Sequence, residues 1–233
     1  MKKLILVVCL TTFFGCKKDD KSMASIPDGI YETDRRVYAV PVTMYTSHGT
    51  ITDTGIINTY LKRTYRFPQR FYSGTDQDSL PYRLTFTFQG ASVTSENSLF
   101  SGSKTVDIVN KTDKILMLVQ HDSSTIYSDN SSTLNCNNLW RKVQLYSPPV
   151  YNCLGNPGGV SFCKGMVQLP VEKTADGRLC IPVIGLMFNR NADVRCSIAV
   201  FGLPACFNSG VIKELQPDDT LLVQTAACFL NRK

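Results

Sequence analysis

Arg83-Leu84-Thr85-Phe86-Thr87-Phe88 places three large apolar side chains at every second position, with Arg83, Thr85 and Thr87 between them. Successive side chains of a strand point to opposite faces. The stretch therefore reads as a strand with one face toward a core and the other toward water. Working outward, strand character begins at Asp28 and continues through Arg36 to Tyr45, which is rich in β-branched and aromatic residues; Pro41 favours an edge or a bulge there. Ser47-His48-Gly49 reads as a turn. One helix is expected: Thr52 or Asp53 can cap it, and Ile56, Ile57, Tyr60 and Leu61 recur at helical spacing before Pro68. Thr105–Val109 and Lys114–Gln120 flank Asn110-Lys111-Thr112-Asp113, a good hairpin turn.

Residues 123–138, rich in Ser, Asn, Thr and Asp, read as a loop or boundary. Leu139–Tyr146 continues the strand series, and the proline- and glycine-rich Ser147–Gly159 interrupts it. Further strands are expected at Gly165–Val171, Leu179–Phe188, Val194–Gly202 and Thr220–Leu230, with turns at Asp176-Gly177 and Asn189-Arg190-Asn191. Strands at this cadence with one short helix in the N-terminal half predict a mainly β fold, an antiparallel barrel or sandwich. Residues 28–233 are expected to form a single β-rich domain, with 123–138 as the place where it would divide.

The N-terminus has a different character. Lys2 and Lys3 precede an apolar run, Leu4 to Phe14, broken only by Thr11 and Thr12, and Gly15-Cys16 follows. A membrane-spanning helix needs about 20 apolar residues; this run is barely more than half that long and stops at Lys17-Lys18-Asp19-Asp20-Lys21. The arrangement resembles the lipobox of type II bacterial signal peptides, in which a small residue precedes the cysteine; Phe13-Phe14 stand where that pattern usually has Leu and a small residue. The resemblance implies that residues 1–15 are a signal peptide. Cys16 would then become the first mature residue, with a diacylglycerol on its thiol and a third acyl chain on its amine. One chain gives marginal membrane attachment, and two or three give stable anchoring. Residues 16–27 would be a lipidated tether with a coil reach of roughly 18 Å. Lys17 stands where an inner-membrane retention aspartate would be, and Lys18-Asp19-Asp20 is similar to the signal that sends Bacteroidota lipoproteins to the cell surface. The implied location is the bacterial outer membrane, surface-exposed or periplasm-facing. An ordinary secretory signal cut after Ser22-Met23-Ala24 is the alternative.

Composition bounds the rest. The chain has 233 residues and a formal net charge of +6; removing residues 1–15, with Lys2 and Lys3, leaves 218 residues at +4. This scattered excess, with no block of five like charges, is not the footprint of a nucleic-acid binder. Seven of the nine cysteines, Cys136, Cys153, Cys163, Cys180, Cys196, Cys206 and Cys228, lie in the C-terminal half. In an exported chain they are candidates for disulfides whose pairing the sequence does not reveal. Those in apolar runs, such as Cys180 and Cys228, could equally be small buried hydrophobes. Their nearest spacings leave nine residues between them, against two to four in zinc sites, so no metal is expected.

Catalytic signatures are sparse. Ser101-Gly102-Ser103-Lys104 and Ser128-Asp129-Asn130 fit two of the three serine β-lactamase elements. The first, however, runs directly into a strand-like stretch, whereas that chemistry needs the serine to open a helix. His121, beside Asp122, reads as a strand-end histidine facing water, and Asp218-Asp219 as turn residues. A glycosidase pair of acids remains open, because such acids need be close only in the fold. Two classes follow. One is a non-catalytic module that holds an unidentified ligand or envelope protein, without a cofactor; its candidate contacts are Tyr72, Tyr82, Tyr127, Trp140, Tyr146 and Tyr151. The other is a small hydrolase without a recognisable motif.

Overall fold

The computed structural model describes residues 26–34, 36–64, 71–72, 83–90, 92–97, 102–129, 133–136, 138–147, 150–155, 160–190 and 197–233. Over part of these, including 120–129, 150–155 and 160–167, it describes the backbone alone. The fold is mainly antiparallel β sheet. The strands are β1 (Gly29–Thr33), β2 (Tyr38–Ala39), β3 (Thr43–Thr46), β4 (Gly49–Ile51), β5 (Thr85–Gln89), β6 (Ser92–Asn97), β7 (Gly102–Asn110), β8 (Ile115–Asp129), β9 (Val150–Gly155), β10 (Val160–Lys173), β11 (Leu179–Arg190), β12 (Ser197–Pro204) and β13 (Asp219–Arg232). Helix α1 spans Thr54–Thr64, the single turn α2 spans Leu139–Lys142, and a 3₁₀ helix spans Ser209–Glu214.

The strand pairings close on themselves. β1 pairs with β5, the ladder continues through β6, β7, β8, β10, β11 and β13, and β13 returns to β1, a ring of eight strands. Its shortest seam is β10–β11, joined through Glu172↔Cys180 and Lys173↔Leu179 across the Asp176-Gly177 turn. Gly177 sits in that turn at φ 84°, a left-handed conformation that glycine adopts without strain. One core fills the ring. Leu84, Phe86 and Phe88 are at most 1% exposed, and they pack with Tyr31, Leu118, Ile181 and Cys228, among others. The period-2 pattern at 83–88 is thus the inner wall of a barrel.

β11 and β13 outrun the barrel. They pair over their full length, from Leu179↔Leu230 to Arg190↔Asp219. Past the seam β12 replaces β10 beside β11, and β3 replaces β1 beside β13. The extension is covered on both faces. Ile184, Leu186, Phe188, Leu221 and Val223 pack under Leu139, Val143 and Val211 from α2 and the 3₁₀ helix. On the other face, Met187 and Leu222 meet Met44 and Ile57 of α1.

Several expectations need correction. Residues 123–129 are not loop: β8 continues through them, paired with β10 from Ser123↔Met166 to Asp129↔Val160. Inside Ser147–Gly159, Val150–Gly155 forms β9 against β10. Leu139–Tyr146 is not a strand; it begins with α2, and Gln144 forms an isolated bridge with Phe207 outside the strands. Asn189 and Arg190 belong to β11 rather than to a turn, and Asn191 lies outside the described residues. His121 does not end its strand. Register jumps from Gln120↔Val167 to Ser123↔Met166, so His121 and Asp122 form a bulge within β8.

Candidate functional site

Gln224 is the pivot of a cleft beneath α1. Along β13, Leu222 faces the layer under α1 and Ala226 faces the barrel core; Gln224 lies between them on the same face. A buried amide needs partners, and Gln224 has three. Its Oε1 accepts from the Tyr72 N–H at 2.7 Å, and its Nε2 donates to the carbonyls of Tyr72 (2.8 Å) and Val40 (3.0 Å). One side chain thus clamps two segments to β13, the bend at 40–42 between β2 and β3 and the pair Phe71-Tyr72. Pro41 falls in that bend, where the ladder is interrupted.

Helix α1 closes the opposite side. Asp53 caps it, its carboxylate accepting from the Ile56 N–H at 2.9 Å. Ile57 is buried, Tyr60 and Leu61 pack partly, and Ile56 is half exposed, so the inward stripe is narrower than the sequence spacing suggests. Phe71 lies against Gly185, where a Cβ would sit 3.3 Å from the Phe71 ring, and meets Phe201 edge-on at 5.2 Å. Between these elements is a cavity of about 440 Å³, walled mainly by Val40, Pro41, Val42, Ile57, Leu61 and Phe71. Its polar lining comes from Thr54, Asn58, Tyr72 and Gln224. Among the described residues, no carboxylate, imidazole, amine or thiol lines it. Such a cavity is suited to holding an apolar body.

A second cavity, of about 470 Å³, lies on the outer face of β11 and β13, where Cys206, Glu172, Pro182 and Phe207 are among its walls. Cys180, the ladder partner of Glu172, lies nearby. Burial, reinforced by the Glu172 charge, pushes the Cys180 thiol up to about 11 and the Cys206 thiol up to about 12. The thiolate is the nucleophile, so both are inert at neutral pH. Native protein is expected to react with iodoacetamide at Cys206 at least about a hundredfold more slowly than free cysteine at pH 7.5. Denaturation without reduction should expose Cys180 and Cys206 together, since both are free thiols. Rapid native labelling at Cys206 would contradict this.

Of the other cysteines, Cys136 is disulfide-bonded, and no bridge joins two of the cysteines whose side chains are described. Cys153 and Cys163 lie on β9 and β10, known by their backbone; Cys16 and Cys196 lie outside the described residues. Among the candidate aromatics whose side chains are described, only Tyr72 lines the cleft. Trp140 and Tyr146 are half-buried around α2, Tyr127 and Tyr151 are known by their backbone, and Tyr82 lies outside. His48 is exposed in the β3–β4 turn. Lys104 lies in β7 opposite Ser95, so the serine–lysine motif has no helix to present it. Asp218 lies in a turn at φ 69°, closed by the Asp219 N–H on the Gln216 carbonyl at 3.1 Å, while Asp219, fully buried, opens β13. Among the described residues no group of three or more His, Cys, Asp or Glu is placed to hold a metal ion, and no helix is long and apolar enough to cross a membrane.

The sequence does carry one signal for the cleft. Gln224 is a lone amide in the apolar run Leu221-Leu222-Val223-Gln224-Thr225-Ala226, and a buried amide in such a run needs backbone partners. Compared with protein-family models, with curated proteins and with solved structures, the chain matches none. Its function must therefore be argued from this geometry.

Proposed function

We propose that this chain is a lipid-anchored binding module of the bacterial outer membrane, non-catalytic, whose cleft beneath α1 holds a small ligand with an apolar body. The observation that carries the binding reading is the make-up of that cleft: a cavity of about 440 Å³ with mostly apolar walls, whose one buried amide is already bonded to backbone. Ligand cavities typically span about 300–1,000 Å³ and are predominantly apolar with few polar groups. The test is titration with N-phenyl-1-naphthylamine, a neutral apolar fluorophore. Saturable binding at one site is expected. Leu61→Trp, which fills the space, should weaken it at least about tenfold, worth roughly 1.4 kcal/mol. Binding that does not saturate, or that ignores Leu61→Trp, overturns the reading.

The anchor rests on Gly15-Cys16, the short apolar run before it and the charged residues after it. Intact-mass analysis of the membrane fraction should find a chain beginning at Cys16 with added acyl mass. An unmodified chain beginning at or after Ser25 overturns the anchor. A disulfide at Cys136 fits export into an oxidising compartment. The β9–β10 register moves from Leu154↔Phe162 to Tyr151↔Lys164 and so sets Cys163 across from Asn152 and Cys153. A Cys153–Cys163 bridge is therefore the first linked peptide expected when the same material is digested without reduction.

A further inference from the structure

A third cavity, of about 490 Å³, lies where residue 26 enters the fold. Ile26, Pro27 and Tyr31 form one wall, and the Tyr31 hydroxyl donates to the Pro27 carbonyl at 3.0 Å. Lys173 and Arg178, from either side of the β10–β11 turn, and Arg232, from the end of β13, bring three cations to the lining. Among the described residues, none that lines it is acidic.

The three cations are held differently. Arg178 pairs with Asp176 at 2.7 Å and lies 3.9 Å over the Phe229 ring, so part of its charge is compensated. The Asp176 carboxyl is held down to about 2, first by the Thr174 hydroxyl and then by Arg178, so it stays ionised and committed to that turn. Arg232 donates to the Asp28 carbonyl at 2.7 Å, which fixes its guanidinium, and it makes no ion pair among the described residues. It lies across Gly29, where a Cβ would come within 2.9 Å of its Nε at a φ of 151°. Lys173 makes no ion pair among the described residues. The pocket is thus positive at its rim, while Ile26, Pro27, Tyr31, Leu179 and Leu230 give it an apolar lining.

We infer that this pocket binds the phosphate of an anionic lipid headgroup, with the lipid's glycerol and first methylenes against the apolar wall. The inference rests on the proposed anchor at Cys16. Nine residues lie between Cys16 and Ile26, too few to span more than about 35 Å even at full extension, so the anchor would keep this end of the fold near the bilayer. The field of an anionic surface fades over a Debye length of about 8 Å, so cations at this end feel it more strongly than cations elsewhere. Guanidinium groups match phosphate oxygens through paired N–H donors, and a lysine adds a point charge.

The experiment uses the mature protein in a neutral detergent, titrated calorimetrically with dihexanoylphosphatidylglycerol, with dihexanoylphosphatidylcholine and with inorganic phosphate. The phosphatidylglycerol is expected to bind at least tenfold more tightly than either of the others and to weaken in 0.5 M salt. Lys173→Gln with Arg232→Gln should abolish the difference while leaving the melting temperature nearly unchanged. Equal affinity for the two lipids, or a double variant that keeps the preference, overturns the site. Inorganic phosphate binding as tightly as phosphatidylglycerol overturns the lipid assignment. The mass of the same preparation separates the two claims: preference without acyl mass on Cys16 overturns the anchor, and acyl mass without preference overturns the site alone.

Discussion

Replacing Phe88 with alanine is expected to destabilise the protein by about 3–5 kcal/mol, the range for removing a buried aromatic side chain and leaving its cavity. Phe88 is 1% exposed, meets Tyr31 edge-on at 5.4 Å and lies 6.4 Å from the Phe86 ring. Its strand is held on both sides, by β1 through Gly29↔Phe88 and by β6 through Phe88↔Val93, so the backbone cannot collapse freely into the void. For a chain of this size the loss corresponds to a fall in melting temperature of about 10 °C. Thr87→Ala, on the other face of the same strand, should change stability by less than about 0.5 kcal/mol. Thermal unfolding of the two variants side by side is the check. Equal effects would mean that 83–88 does not line a core.

That strand was legible because one of its faces is buried and the other is not. Alternation survives in the sequence only under that condition. β11 lacks it: Leu179-Cys180-Ile181-Pro182-Val183-Ile184 continues through Gly185 to Phe188, and most of these residues are buried because both faces are covered beyond the barrel. A continuous apolar run identifies the strand but hides which side faces which core. β8 fails in the opposite direction. Ser123-Ser124-Thr125-Ile126-Tyr127-Ser128-Asp129 has the composition of a loop, yet its backbone is fully laddered to β10. The partner that makes it a strand lies some forty residues away, where local composition carries no trace of it.

The helix calls for a finer reading than periodicity allows. Asp53 as a cap and Ile57 inward were accessible from spacing, but Ile56, beside Ile57, is half exposed. Asn135 and Asn138 accept each other's backbone N–H groups at 3.1 and 2.9 Å and thereby build the turn that enters α2. Two asparagines three apart before Leu139 were the available sign that a helix, not a strand, begins there. Barrel closure was not legible at all. It depends on β1 meeting β13 through Tyr31↔Arg232, a pairing of the two ends of the described fold. The Gln224 clamp has the same character, since Val40, Tyr72 and Gln224 are distant in sequence and meet only in the fold.

The second large effect is expected at Asp219, the first residue of β13. Its carboxylate is fully buried and accepts from Arg190 Nε at 2.9 Å, from Arg190 Nη2 at 3.0 Å and from the Gln216 N–H at 2.9 Å. The same Nη2 donates to the Leu134 carbonyl at 2.7 Å, so one guanidinium ties the segment leading into α2 to the far end of the β11–β13 ladder. Asp219→Ala removes one partner and leaves the other charge in place, which costs about 3–5 kcal/mol for a buried pair. Arg190 is a quarter exposed and can recover some hydration, which points to the lower end of that range. Arg190→Met alone strands the carboxylate instead, and that group has no exposed surface, so its cost should be at least as large. The double variant should cost clearly less than the sum of the two, because it leaves neither charge orphaned. Trp140, the sole tryptophan, sits on α2. Its fluorescence should report loosening of that turn in Asp219→Ala at lower denaturant than the loss of sheet signal. A single transition within 1 kcal/mol of the parent protein would show that the buried pair does not hold α2 to the sheet.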